Sequence, residues 1–503
     1  MLPRLMLCRP AQCRRNSSSR GFMLFRQTLL YLPAQVLGPL FQFISILAWT
    51  HFLSPVEMGV FALVVAVQEL AYVATTFWFT LYTMRYHDPA AAPDAKRTFL
   101  DTELMVLAAA SLATVGVMLL LPLTTGVPWS FDLSLAAIAY AITRGLVTHL
   151  ADRARTEHDT MTYSVLQISW PVLGLMFGLA LVVWGKEDAV HVLWGYTLAQ
   201  AFSLMIAFFR LEFGRNPLRF ARAAIAKGFD YGLPLLIGGV FIWMANNGLR
   251  FVVEMRESAA AVGLVTVGWG LGLRVAAFAA MLVTAAAFPV AMKRAREEGM
   301  SAGQAQLERS GILLLAVLAP ASAGLVAIGT PFISLVVAEE FRATTIAVLP
   351  WAILAGAIRN FRIHFAEQVF LLHERTRVPL WNDAIDAVLS LAGVAIGLYA
   401  GGLPGAVAGA AAGAAISLGV TLLAGWSAYR FTLSLDALWR IALATSAMVA
   451  SVTMMPAEAT PVSLALAIAV GAATYALTLA AVYPDLVRKL AGVLRSGRLG
   501  TGP

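Results

Sequence analysis

The sequence predicts an all-α polytopic membrane protein with about 14 transmembrane helices, and three observations carry that expectation. Hydrophobic residues make up 59% of the 503 residues and charged residues only 13%. Soluble domains carry about 25% charged residues, so this chain has too little polar side chain to cover a water-facing globule. Mean hydropathy is +0.77, and the apolar residues gather in runs long enough to cross hydrocarbon, which takes about 20 residues of helix.

In order, the qualifying runs are 29–50, 57–81, 101–123, 130–151, 163–184, 189–210, 230–252, 259–288, 310–337, 345–372, 380–400, 404–429, 437–455 and 461–483. Their connections are short, and none is long enough to fold as a soluble domain. Lys and Arg collect in alternate loops, the pattern that sets orientation. Arg20 and Arg26 precede the first run, and Arg85, Lys96 and Arg97 follow the second. Arg153 and Arg155 follow the fourth, and Arg210, Arg215, Arg219, Arg222 and Lys227 the sixth. Lys293, Arg294 and Arg296 follow the eighth, Arg375 and Arg377 the tenth, Arg430 and Arg440 the twelfth. The opposite loops offer Lys186, Arg256 and Arg342, so both termini are expected in the cytoplasm. The net charge of +8 is thus spent on topology. It forms no continuous basic face of the kind that tracks a phosphate backbone, and no nucleic-acid partner is expected.

The chain also resembles itself. "YLPAQVLG" (31–38) opens the first run and "GLPLLIGG" (232–239) the seventh, followed by "EMGVFAL" (57–63) and "AVGLVTV" (261–267). Six spans separate the copies, which predicts two parallel six-helix lobes around a central cavity, with Pro33 and Pro234 at matching positions. The expected divisions are a basic tail (1–28), an N-terminal lobe (29–229), a C-terminal lobe (230–429), and two added spans with a basic tail (430–503). In the twelfth span Gly405, Gly409 and Gly413 form a small-residue stripe suited to close helix packing. The first 22 residues allow a targeting role, a disordered tail, or a true start at Met23. Cys8 and Cys13 are the only cysteines, no Cys/His constellation suggests a metal, and no cofactor is expected.

Several motifs carry a family likeness. "THFLSPVEMGVFAL" (50–63) resembles the first-loop signature of the polysaccharide and oligosaccharide flippases, members of the multidrug/oligosaccharidyl-lipid/polysaccharide exporter superfamily. "YGLPLLIGG" (231–239), "LRFVV" (249–253) and "AVGLVTVGWGL" (261–271) are similar to its seventh and eighth spans. "AAFPVAMKR" (286–294) and "HERTRVP" (373–379) are similar to the end of the eighth and the loop after the tenth. The chain departs from the pattern where Leu249 precedes Arg250 and where Gly270 follows Trp269, with Arg274 four residues on. The resemblance implies a flippase carrying glycans on an undecaprenyl pyrophosphate carrier from the cytoplasmic to the outer leaflet of the bacterial inner membrane. Surface-polysaccharide polymerase machinery is an implied partner, alongside the membrane lipids themselves.

Charges inside spans cost roughly 2.5–3.5 kcal/mol each, so they should face a cavity, a water path or one another. Arg144, Arg250, Arg274, Arg359 and Arg362 are the candidates for an anionic head group, because guanidinium stays charged and forks onto phosphate oxygens. Interhelical ion pairs or snorkelling are the alternatives for each, and for Arg144 a pair with Glu69. Glu69 and Glu367 are candidates for ion coupling, with simple pairing to an arginine as the alternative. His364 is expected to be a core histidine. At about 100° per residue, Arg359 and Arg362 share one side of their helix, while Asn360, His364 and Glu367 share another. Trp243 and Trp269 are placed mid-span, where sugar stacking is open to them. A multidrug-type cation antiporter is the runner-up, disfavoured by the arginine excess. A membrane-embedded polymerase or glycosyltransferase is disfavoured by short loops and the lack of a catalytic constellation, so no enzyme is expected.

Overall fold

The computed structural model describes residues 36–127, 129–456 and 458–483. Among these residues every regular element is helical. The main helices are α1 (Val36–Trp49) and α2 (Pro55–Tyr86), then α3 (Pro93–Leu119), α4 (Phe131–Thr156), α5 (Thr160–Trp184) and α6 (Ala189–Arg210). They continue with α7 (Arg222–Arg256), α8 (Ala259–Glu298), α9 (Met300–Ala327) and α10 (Glu339–Leu372). The stretch Arg377–Tyr429 is broken at Gly401 and Gly402, whose φ is +61°, into α11 (377–400) and α12 (403–429). α13 (Leu435–Thr453) and α14 (Pro461–Val482) close the series. Among the described residues twelve helices are long and apolar enough to cross a membrane, with Arg377–Tyr429 counted once and α1 counted as shorter.

Local chemistry starts these helices where the apolar runs begin. Ser130, Asp159, Asp188, Ser258, Ser434 and Thr460 each accept a hydrogen bond from a backbone N–H of the first turn, satisfying donors the helix cannot pair itself. Several helices outrun the apolar windows. α7 starts at Arg222 rather than 230, and α8 passes through Pro289 to Glu298 rather than stopping at 288. Hydropathy marks the edge of hydrocarbon, whereas a helix carries on into water on its own backbone bonds. The expected ninth run instead breaks after Ala327 and resumes as the short helix Gly329–Val336.

The glycine stripe does the packing its spacing suggests. A Cβ on Gly409 would lie 1.8 Å from the Gly393 carbonyl, and one on Gly397 would lie 2.0 Å from that of Gly405. α11 and α12 therefore form an antiparallel hairpin in backbone contact, as small residues allow in membranes.

The chain divides into two compact units. Among the described residues, the first holds 36–45, 71–119 and 130–233, and the second holds 46–70, 120–127, 129, 234–456 and 458–483. Within the second unit the repeated glycines meet. A Cβ on Gly59 would sit 1.8 Å from Ala259 O, and one on Gly263 would sit 1.9 Å from Pro55 O. Each carbonyl lies four residues before the opposite glycine, a reciprocal contact of the sort a twofold axis produces. Pro33, Cys8, Cys13, Met23 and both expected tails lie outside the described residues.

Candidate functional site

The site grows from α10. The Phe361 and Phe365 rings meet tilted at 4.9 Å, and Phe365 stacks on Phe431 at 4.7 Å, inside a buried cluster with Leu307, Leu314 and Phe370. That apolar anchor turns Arg359 and Arg362 the other way, towards α11. Between them and Leu372 the helix widens into a π-turn over Arg362–Ala366, where Glu367 N donates to Arg362 O at 3.0 Å.

The wider turn corrects the expectation of two polar stripes. With α-helical spacing Arg362 and Glu367 would diverge, whereas an i to i+5 turn lays them nearly over one another. Arg362 Nη1 donates to Glu367 Oε1. Arg362 Nη2 donates to Asp383 Oδ1 at 2.8 Å and to Asp386 Oδ2 at 3.5 Å. Arg359 Nε donates to Asp386 Oδ2 at 3.0 Å, and its Nη2 to Ser390 Oγ at 2.9 Å. Ser390 donates in turn to Asp386 Oδ1 at 2.9 Å. Arg359 also lies 5.5 Å from the centre of the Trp269 ring.

This network forms one wall of a cavity of about 410 Å³ within the second unit. Four arginines line it (Arg250, Arg274, Arg359 and Arg362), against three carboxylates, Glu69, Asp383 and Asp386. The arginines form two tiers. Arg250 and Arg274 are half-buried, whereas Arg359 and Arg362 are buried behind their carboxylates. Glu69 Oε2 accepts from Asn247 Nδ2 at 2.9 Å, and Asn247 Oδ1 accepts from Arg250 Nη1. Among the described residues, Arg250 Nε, Arg359 Nη1 and Arg362 Nε have no hydrogen-bond partner. Buried polar groups are nearly always paired, so unused donors beside a cavity mark capacity for a ligand.

The structure thus brings together five of the seven candidate residues. Glu367 is buried against Arg362 and does not line the cavity. Arg144 lies in the first unit, its guanidinium carbon 3.9 Å from the centre of the Trp170 ring, a cation–π distance. Trp243 and Trp269 spend their indole N–H groups on the carbonyls of Ala66 and Asn246, at 2.7 and 2.8 Å. The carboxylates at the α11 start are the residues sequence reasoning passed over. Asp383, Asp386 and Ser390 are spaced three and four apart, which places them on one helix face. A larger cavity of about 620 Å³, lined by Leu318, Trp351, Leu354, Phe361 and Leu418 among others, carries no ionisable side chain and suits hydrocarbon rather than a charged group.

A second buried network occupies the first unit. Arg153 donates to Glu103 Oε2 at 2.5 Å, to Glu157 Oε1 at 3.0 Å and to the Glu212 carbonyl at 2.5 Å. His149 joins it at 2.9 Å from Glu103 and 2.9 Å from Thr80. Arg153, read from the sequence as a loop charge, is therefore a wholly buried ion-pair partner.

Among the described residues the chain is thus an all-helical bundle of membrane-length helices, with an arginine-lined cavity inside its second unit. The inward-closed lipid II flippase MurJ aligns with a TM-score of 0.70 at 12% identity, over 91% of this chain and 100% of its own. An inward-facing multidrug resistance MATE family transporter of the MOP superfamily aligns at 0.54 and 14%, over 82% of this chain and 98% of its own. The MATE multidrug transporter DinF-BH aligns at 0.54 and 14%, over 80% of this chain and 95% of its own. No curated protein sequence matches. Residues 24–294 match the family described as "Polysaccharide biosynthesis protein", and the chain belongs to that family.

Proposed function

We propose that this protein is a flippase that moves lipid-linked oligosaccharide or polysaccharide repeat units from the cytoplasmic to the outer leaflet of the bacterial inner membrane. It works by alternating access with both termini in the cytoplasm, and it supplies surface-polysaccharide assembly, including its polymerase machinery. The observation that carries the proposal is the cavity lined by Arg250, Arg274, Arg359 and Arg362. Four guanidiniums held within membrane-spanning helices suit an anionic head group that must leave water, since each presents forked donors to phosphate oxygens. Arg144 is a further head-group contact in this scheme, and Glu69 and Glu367 are the ion-coupling groups.

The carboxylates Glu69, Asp383 and Asp386 in the same cavity favour a second reading, a multidrug-type cation antiporter. A deletion strain separates the two. The flippase reading expects lipid-linked glycan to accumulate on the cytoplasmic leaflet, with surface polysaccharide lost. Arg274→Ala should fail to restore it while the protein is still made. Normal surface polysaccharide with raised drug sensitivity would establish the antiporter instead.

A further inference from the structure

Where the end of α2 meets the start of α7, in the first unit, the fold gathers side chains that the arginine cavity does not use. α7 seats itself there through bare backbone. A Cβ on Gly232 would lie 2.8 Å from Trp78 Cα, and one on Gly228 would lie 2.9 Å from Trp78 Cζ3. Phe229 stacks on the Trp78 ring at 4.1 Å. Lys227 and Tyr231, one helical turn apart on a shared face, are thereby brought to the last turn of α2. The Lys227 ammonium lies 3.8 Å from the centre of the Tyr86 ring. The Arg85 guanidinium lies 4.6 Å from the centre of the Tyr231 ring and 5.6 Å from that of Tyr86.

Two exposed cations thus converge on one ring. Among the described residues neither has a carboxylate at ion-pair distance, whereas nearby Lys96 pairs with Glu212 at 3.0 Å. A cation over an exposed ring gains only about 0.5–1 kcal/mol, and these two repel each other across it, so a shared anion would stabilise both. The surroundings say which anion fits. Met84, Phe229 and Leu233 are 42–48% exposed on the same stretches of α2 and α7, and clustered Tyr and Trp mark the head-group level of a membrane. A phosphate carrying hydrocarbon meets both the cations and this apolar surface, whereas a free phosphate meets only the cations. We infer that Arg85 and Lys227, with Tyr86 and Tyr231, bind the head group of an anionic phospholipid in the cytoplasmic leaflet. The leaflet follows from the topology proposed above, but the site depends on neither the flipped substrate nor its cavity.

The phosphodiester bridges the ammonium and the guanidinium, offsetting their repulsion with charge-assisted hydrogen bonds. Tyr86 also lines a cavity of about 330 Å³, at the small end of the range for ligand pockets, which gives the polar end of the head group a place to sit. Asp88, in the same wall, already accepts from the Ala90 N–H at 2.9 Å. A zwitterionic lipid would bring its own ammonium towards two cations, so the pair favours a head group with net negative charge.

Native mass spectrometry of the full-length protein in detergent tests the site, with phosphatidylglycerol and phosphatidylethanolamine of matched acyl chains as probes. Wild type should hold phosphatidylglycerol about tenfold tighter than phosphatidylethanolamine. Arg85→Gln with Lys227→Gln should abolish that preference, and the charge-keeping exchange Arg85→Lys with Lys227→Arg should retain it. Arg375→Gln with Arg377→Gln, at an exposed basic pair of the second unit, should leave it unchanged. Glycerol 3-phosphate, which has the phosphate without acyl chains, should not displace the lipid. Equal wild-type affinities, a preference that survives the paired Gln variant or is lost in the charge-keeping one, or an equal loss in the Arg375 and Arg377 variant would overturn the inference. Displacement by glycerol 3-phosphate would assign the cations to a soluble phosphate and overturn it too. Each of these results leaves the flippase reading to the deletion strain.

Discussion

Two arginine networks are buried in the membrane-spanning helices, one in each unit, and they end differently. Around Arg153 all three guanidinium nitrogens have a partner, and Glu103 and His149 are themselves wholly buried. Around Arg359 and Arg362 one nitrogen on each side chain has none among the described residues, and both arginines line a cavity. The chemistry is the same, a guanidinium set among carboxylates. A completed network fixes helices in place, whereas an incomplete one beside open space holds donors in reserve. Buried polar networks rigidify a fold most when each member is satisfied, so the incomplete network holds its helices less firmly than the completed one.

The largest expected effect breaks the completed network. Arg153→Ala leaves Glu103 and Glu157 without their countercharge, and removing one partner of a buried pair costs about 3–5 kcal/mol. Little folded protein should survive detergent extraction, as size-exclusion profiles and thermal unfolding would report. A variant with the wild-type Tm would show that the network does not hold the first unit together.

Arg274→Ala sharpens the contrast from the other side. It removes a half-buried guanidinium from the cavity, so Tm should stay near wild type while glycan export falls. Loss of one charge-assisted contact of about 1.5–3 kcal/mol corresponds to a drop of about ten- to a hundredfold. An equal loss of Tm and export would make the two networks alike.

A smaller effect should appear with pH at Glu157, beyond the end of α4. Burial alone would raise its carboxyl, but the hydrogen bond with His87 and the charge and hydrogen bond of Arg153 outweigh it and hold it below the usual carboxylate value. A lowered value in the fold contributes stability that is fully present above the unfolded value, about 4.3, and is lost as pH falls through the folded one. Tm should therefore decline in acid, and Glu157→Gln should flatten that part of the curve. An unchanged slope in the variant would assign the acid sensitivity to other groups.

The helices were legible in the sequence because hydrocarbon demands long apolar runs. Close packing of α12 was legible in Gly405, Gly409 and Gly413, whereas its partner, α11 through Gly393 and Gly397, was not. The cavity was half legible. Arg250, Arg274, Arg359 and Arg362 stood out as charges in apolar surroundings, whereas Asp383 and Asp386 sit at a span start, where charge is ordinary. Nothing in the residue types announced the π-turn at Arg362–Ala366, so helical periodicity placed Glu367 away from the arginine it binds. Arg153 was misjudged for a related reason: a loop charge and a buried ion pair look the same until Glu103 and Glu157 are seen beside it.

The most direct measurement is translocation itself. Purified protein in liposomes is given a fluorescent isoprenoid diphosphate-linked sugar in one leaflet, and its appearance in the other is followed by a membrane-impermeant quencher. The account expects wild type to equilibrate the lipid between leaflets, and Arg274→Ala to leave it almost where it was placed. Equal rates for wild type, Arg274→Ala and protein-free liposomes would contradict it.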